Sequence, residues 1–317
     1  MTDNKKDNNL LILLGPTGVG KTDISIKLAK KLPHIEIISA DSMQIYKYMD
    51  IGTAKPNKNI LKAIKHHMIG IADPAENFDV IRYSKLATKI LFDIFKRGKI
   101  PILVGGSGLY ITSIIEPIFS GPDRDSIYRK ILEEESKIYG KEYLHNKLIK
   151  IDPISASKIN SNDTKRIIRA LEVYKSTGKT ISCLQKEAYR QNAKFKYQTI
   201  GLKMNREKLY QKINSRVDKM IKDGLIEEVK MLRERGYDKN LNSMQGLSYK
   251  QINKYLDGEY DQETAIYLIK RDSRRYAKRQ MTWFSHKIKN IEWIDLDEYN
   301  EEKVLFKIIN KCRGSFH

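Results

Sequence analysis

Eight residues near the start of the chain have the types and spacing of a phosphate-binding loop. Gly15-Pro16-Thr17-Gly18-Val19-Gly20-Lys21-Thr22 fits G-x-x-x-x-G-K-[ST] at every position. Glycines let successive backbone N–H groups converge on an anion, and the N-terminus of the following helix adds its dipole. Lys21 adds a positive charge, and the Thr22 hydroxyl is a ligand for Mg²⁺. Such a loop holds a diphosphate, whether of ATP or of another ester. The motif alone leaves open whether that diphosphate is fuel or leaving group. A second polar group is Asp41, followed by Ser42, Gln44 and Tyr46. A carboxylate there can take a proton from an incoming nucleophile. It can equally cap a turn or stand behind a Mg²⁺ ligand. A third group is Gly105-Gly106-Ser107. A motor or a GTPase would carry an acid at such a position to hold Mg²⁺ and place water.

These groups need a scaffold that brings them together. Residues 10–14 form an apolar run feeding the glycine-rich turn, which predicts a buried strand. Residues 22–32 have helical periodicity and stop before Pro33. Residues 35–40 read as a second strand ending at Asp41. Asp79 reads as the N-cap of a helix over 80–96 closed near Gly98. Residues 99–104 read as a third strand running into "GGSGLYITSI". This alternation predicts an α/β fold: a P-loop nucleoside-triphosphatase-like parallel sheet covered by helices. Such sheets bind ligands beyond the carboxyl ends of their strands, so Gly15, Asp41 and Ser107 should share one cleft.

After "SGPDRDS" the chain becomes charged, helical and poor in strand signals. The expected organisation is a core of residues 1–122 and 188–317 with an α-helical insertion at 123–187. Residues 195–204 should return to the sheet. Helices are expected over 206–236, 243–256 and 261–284, then a last strand in "IEWIDL" and a final helix to Cys312.

The chain has 317 residues, a length for two domains or one domain with an insertion. The balance of 40% hydrophobic and 31% charged residues is that of a soluble globular protein. No apolar run approaches the roughly 18 residues of a membrane span, and "MTDNKKDNN" lacks the apolar core of a signal peptide. Two cysteines, Cys183 and Cys312, support neither a zinc finger nor a disulfide framework, and a reducing cytoplasm fits them. Lys and Arg number 59 against 39 Asp and Glu, a net charge of +20. That excess suits a polyanionic partner; a generally Lys-rich composition would produce the same number.

"GPTGVGKT", "IISADSMQIYKYMDIGTAKP", "HHMI", "PILVGGSGLYI", "RIIRALEVY" and "YAKRQMTWF" occur in this order. The chain thereby resembles the tRNA dimethylallyltransferases, also called tRNA isopentenyltransferases, of bacterial type. The block from Asp41 to Pro56 is the most diagnostic, since ordinary P-loop kinases do not carry it. The resemblance implies transfer of a dimethylallyl group from dimethylallyl diphosphate to the exocyclic amine of the adenine 3′ of a tRNA anticodon, with diphosphate as leaving group. It implies Mg²⁺ as cofactor, the tRNA anticodon stem-loop as partner, a cytoplasmic location and a monomer. Lys21, Arg216, Asp41 and Ser107 become the catalytic set, with Ser107 where the family usually has Thr. The tRNA contacts implied are Asp41, Ser42, Met43, Gln44, Ser107, Arg129, Lys165, Arg166, Ile167, Ile168, Arg169, Met244, Gln245, Gly246, Lys278, Arg279 and Gln280. Tyr249 and Trp283 are candidate stacking platforms, although aromatics at helical spacing are more often core. Ser248 stands where the family commonly has Gly. His66 and His67 are expected to be structural. Two rival readings remain: a small-molecule kinase using the loop with ATP, and a non-catalytic, nucleotide-gated RNA-binding protein.

Overall fold

The structure is a computed structural model that describes residues 9–116, 119–189 and 196–314. It divides into two compact units, Met1–Ile115 with Lys194–His317, and Glu116–Ala193.

The larger unit holds one sheet of six strands: β1 (Asn9–Leu14), β2 (Ile35–Ala40), β3 (His66–His67), β4 (Ile100–Gly105), β5 (Lys196–Lys203) and β6 (Ile291–Asp295). Their order is β3-β2-β4-β1-β5-β6, and every pairing is parallel. A parallel sheet is covered on both faces, so its central strands β1 and β4 are largely apolar, while β2 buries Glu36 and Ser39. In β1, Leu10, Ile12 and Leu14 enter one core while Leu11 and Leu13 enter the other. Helix Lys21–Lys31 covers the second face with Ile24 and Leu28. Helix Val80–Lys96 covers the first with Tyr83, Ala87, Leu91 and Ile94, one stripe along the helix. It starts where Asp79 accepts the Arg82 N–H at 2.9 Å and ends near Gly98, whose φ is +67°.

From β1 the chain crosses to β2 on one side; after β4 it crosses to β5 on the other. The switch point lies between the carboxyl ends of β1 and β4, where open α/β sheets bind ligands.

Two expectations shift, one falls partly outside the described residues, and one short strand is new. The helix expected over 206–236 is two helices, Arg206–Lys222 and Leu225–Glu234, broken at Gly224, whose φ of +97° no helix interior allows. The helix expected over 243–256 begins only at Tyr249, because Ser248 has φ +78°. The return strand is β5, and Phe195 lies outside the described residues. The pairing of His66–His67 with β2 adds a two-residue strand.

The smaller unit is helical, with Ser126–Tyr139, Lys141–Ile151, Thr164–Thr177 and Ile181–Tyr189 as its longer helices. Leu132, Leu144, Leu148, Ile167, Ile168 and Leu171 form its core.

Candidate active site

Beyond β1 the chain turns through Gly15–Gly20, with Gly18 and Gly20 at φ +82° and +104°, where a side chain would be strained. A Cβ at Gly18 would fall 2.8 Å from Ile213. The loop is fixed from across the chain. Gln280, buried on helix Gln262–Lys287, accepts the Thr17 N–H at 2.8 Å and donates to the Gly106 carbonyl at 2.9 Å. Lys21 folds its ammonium back onto the carbonyls of Gly15 and Pro16, at 2.8 and 2.9 Å. Burial, and secondarily the Arg216 guanidinium, lower its pKa to about 7; Asp41 acts in the opposite sense. Arg216, on helix Arg206–Lys222, donates to the Thr53 carbonyl at 3.5 Å, and burial lowers its own pKa.

Asp41 opens the turn after β2. Its Oδ1 accepts the N–H groups of Met43 and Gln44 at 2.9 and 3.2 Å. The carboxylate is thus a turn cap, as one reading of the sequence expects. Among the described hydrogen bonds Oδ2 takes part in none, so capping leaves one oxygen for other work. Ser107 Oγ accepts the Ser42 N–H at 3.0 Å and donates to Ser42 Oγ at 3.3 Å, tying the turn after β4 to the turn after β2. Tyr276 lines the same cleft. Burial first, then the Asp41 charge, push its phenol up to about 12.

Together these groups border a cleft of about 1080 Å³ lined by Lys21, Thr22, Asp41, Gly106, Arg216 and Tyr276, among others. The structure therefore brings the loop, Asp41 and Arg216 into one cavity, whereas Ser107 does not line it and stands behind the Asp41 turn, bonded to Ser42. The oxygen donors lining the cleft include the Thr22 hydroxyl and the Asp41 carboxylate. Mg²⁺ takes few protein ligands of this hard kind and completes its shell with water and phosphate oxygens, so the residues fit that ion.

The opposite wall is the segment "DIGTAKP". Asp50, Ile51 and Gly52 all donate their N–H groups to the buried carboxylate of Glu228, at 2.8, 2.7 and 3.1 Å. Lys55 donates to the Tyr46 carbonyl at 2.7 Å and pairs with Asp50. His66 lines the cleft with Nδ1 on the Ile64 carbonyl at 2.8 Å, whereas His67 bonds the buried Glu36 carboxylate at 2.7 Å.

Several residues implied to touch tRNA have other partners. Gln280 is the clamp described above. Gln44 is buried, with Nε2 on the carbonyls of Thr53 and Ala54. Met244 is wholly buried, and Met43 packs so closely on Gly246 that a Cβ there would fall 2.2 Å from its methyl carbon. In the smaller unit Ile167 and Ile168 are core. Arg129 and Arg169 both grip Glu172, which is fully buried. Burial would raise that carboxyl, but the two guanidiniums hold it down at about 2. The exposed members of the set are Gln245, Lys165, Arg166, Lys278 and Arg279. Arg166 pairs with Asp163, and Arg279 stands 5.8 Å from the Tyr276 ring centroid. Tyr249 is fully buried and offers no platform. Trp283 packs against Gly108, where a Cβ would fall 2.2 Å from its ring.

Sequence reasoning placed Tyr276 only within the stretch Tyr276–Trp283 that the resemblance maps to tRNA contact, and assigned no role to Glu228. Glu228 left one signal: it falls within the apolar stripe Leu225, Val229 and Leu232 of its helix, where a carboxylate needs buried partners.

A parallel sheet with a P-loop at its switch point, facing a polar cleft, defines an α/β protein of the P-loop class. Comparison with known proteins narrows that class. The family model described as IPP transferase matches residues 44–287. A protein of Acetivibrio thermocellus described as a tRNA dimethylallyltransferase is 51% identical over 310 residues, covering 98% of both chains. One of the same description from Carboxydothermus hydrogenoformans is 49% identical, covering 96% of this chain and 97% of its own. Among solved structures, the full-length tRNA isopentenylpyrophosphate transferase of Bacillus halodurans has 43% identity and a TM-score of 0.72, covering 98% and 97%. A eukaryotic dimethylallyltransferase described as acting on tRNA has 29% identity and a TM-score of 0.78, covering 96% and 80%. The chain belongs to the IPP transferase family. Among the described residues no helix is long and apolar enough to cross a membrane.

Proposed function

We propose that this chain is a tRNA dimethylallyltransferase. It moves a dimethylallyl group from dimethylallyl diphosphate to the exocyclic amine of the adenine 3′ of a tRNA anticodon, working as a cytoplasmic monomer. The observation that carries the reading is the meeting of the phosphate loop, Asp41 and Arg216 on one cleft beside strand β4, which ends without an acid. A kinase or GTPase site lacks the walling segment at Asp50–Lys55 and needs an acid for metal and water.

The reaction is a displacement. The adenine amine attacks the allylic carbon, the carbon–oxygen bond breaks, and its electron pair leaves with the diphosphate. Charge grows on that leaving group, so groups aimed at it lower the barrier. The loop N–H groups, Lys21 and Arg216 are those groups. Thr22 would hold Mg²⁺, which when bound supplies further positive charge to the diphosphate oxygens. The amine is a poor nucleophile because its lone pair is shared with the ring. Asp41 accepts its proton on Oδ2 while Met43 and Gln44 hold the carboxylate through Oδ1. Ser107 keeps the Asp41 turn against the β4 turn. The exposed Lys165, Arg166, Lys278 and Arg279 are the phosphate contacts for tRNA.

The test is incubation with unmodified tRNA, Mg²⁺ and dimethylallyl diphosphate without ATP, followed by nucleoside mass analysis. The expected product is one prenylated adenosine per tRNA and one diphosphate released. A requirement for ATP, or release of inorganic phosphate in place of diphosphate, would sink the reading and restore the kinase.

A further inference from the structure

We infer that Glu228 is a positioning residue for the diphosphate side of the cleft, acting through residues 50–55 on Arg216; the inference rests on the donor reading above. Glu228 lies on helix Leu225–Glu234 and is buried, so it has given up most of its hydration. Four hydrogen bonds replace it. Oε2 accepts the N–H groups of Asp50 and Ile51, and Oε1 accepts the Gly52 N–H and the Tyr249 hydroxyl, the last at 2.6 Å. Three successive N–H groups converging on one anion form a nest, and here the anion comes from the chain itself. Charge-assisted bonds of this kind are roughly twice as strong as neutral ones. The Tyr249 ring completes the anchor: a Cβ at Gly52 would fall 2.6 Å from it, so the loop backbone lies directly against the ring.

What the anchor holds is a wall of the cleft. Just past the nest, Thr53 presents its carbonyl to Arg216 Nη2 and to Gln44 Nε2, at 3.5 and 3.2 Å. Gln44 in turn is fastened to Asp41 through its own N–H. Among the described hydrogen bonds, those reaching residues 50–55 from outside 44–55 come from Glu228 and Arg216, while the Tyr249 ring packs on Gly52. Glu228 and Tyr249 thus fix where the Thr53 carbonyl stands, and that carbonyl fixes where the guanidinium points. Glu228 touches no reacting atom itself. Tyr249 follows Met244, Gln245 and Gly246 closely in sequence, so the anchor also joins that stretch to the diphosphate wall.

Glu228→Gln keeps the shape and removes the acceptor-only character of the head group. Whichever way the amide turns, its NH₂ faces donors that had an oxygen. Tyr249→Phe removes one hydroxyl and leaves the ring on Gly52. The probe is inorganic diphosphate with Mg²⁺, titrated calorimetrically, with the donor KM and kcat measured beside it. We expect Glu228→Gln to weaken diphosphate about tenfold and Tyr249→Phe about threefold, with the donor KM rising in step and kcat changing less. In an Arg216→Ala background, Glu228→Gln should add less than about twofold, because residues acting through one another are not additive. Unchanged affinity in folded variants, or full additivity with Arg216→Ala, overturns the inference. Should Glu228→Gln fail to fold, Tyr249→Phe decides by the same two criteria. A wild-type protein that binds diphosphate but transfers no prenyl group overturns the donor reading instead, and the two failures are told apart by the binding arm alone.

Discussion

Raising the pH should weaken donor binding, and the break should sit near neutrality. Lys21 has a pKa lowered to about 7 by burial and by Arg216, with Asp41 opposing. A diphosphate seated in the loop favours the charged ammonium, so binding draws a proton onto Lys21. Below the break the ammonium is already present and affinity is flat. Above it the neutral amine must be protonated at the cost of binding, and affinity falls about tenfold per pH unit. The ligand cannot produce this slope. A phosphoryl group's second ionisation lies near ~6, and its completion adds negative charge, which strengthens binding. The neighbours shift the break in opposite directions. Arg216→Gln removes a repelling charge and should move it upward, although binding as a whole weakens. Asp41→Asn removes an attracting charge and should move it downward. Calorimetric titration from pH 6 to 9, in buffers of different ionisation enthalpy, reads both the affinity and the proton taken up. A flat profile, or a break that both substitutions leave in place, refutes the assignment to Lys21.

Three further outcomes follow from the same geometry. Asp41→Ala should lower single-turnover transfer by about 10²–10⁴ and leave tRNA affinity nearly unchanged; near-normal transfer would leave Asp41 as the turn cap alone. Arg279→Ala should weaken tRNA binding and reduce the slope of log affinity against log salt by about one, in filter-binding titrations across salt concentrations; an unchanged slope returns Arg279 to an ordinary solvated helix face. Ser248→Gly should raise the melting temperature by about 2 °C, because relief of a strained conformation costing roughly 1–3 kcal/mol outweighs glycine's extra unfolded-state entropy of about 0.5–1 kcal/mol. A lower melting temperature would mean the Ser248 side chain contributes more than its backbone strain removes.

What the sequence could convey depended on how local each cause was. Strands β1 and β2 were legible as apolar runs, and helix Val80–Lys96 was legible from Asp79, its stripe and Gly98. The phosphate loop was legible because all its parts lie within eight residues. Strand β3 was not, since two residues carry no alternation. The late start of helix Tyr249–Leu256 was hidden by Ser248, a residue type that gives no warning of positive φ. The clamps were the least legible. Gln280 meets Thr17 across 263 positions, and Glu228 meets Asp50 across 178. Remoteness also hides Arg129, which meets Glu172 across 43 positions, whereas Ile167, Ile168 and Arg169 turn inward on their own helix. A motif position fixes neighbourhood in sequence, whereas burial and the demand of Glu172 for partners decide what each side chain touches.

The Gln280 clamp has a consequence for how the loop meets its ligand. Thr17 has already given its N–H to a side chain, so the cradle offers an incoming diphosphate one amide fewer than its motif suggests. In exchange, the loop is stitched to the end of β4 and to a 26-residue helix before any ligand arrives. Its ordering belongs to folding, not to capture. Association should then resemble a key entering a cut lock, with an encounter rate insensitive to solvent viscosity beyond simple diffusion and little backbone amide protection gained in the loop on binding.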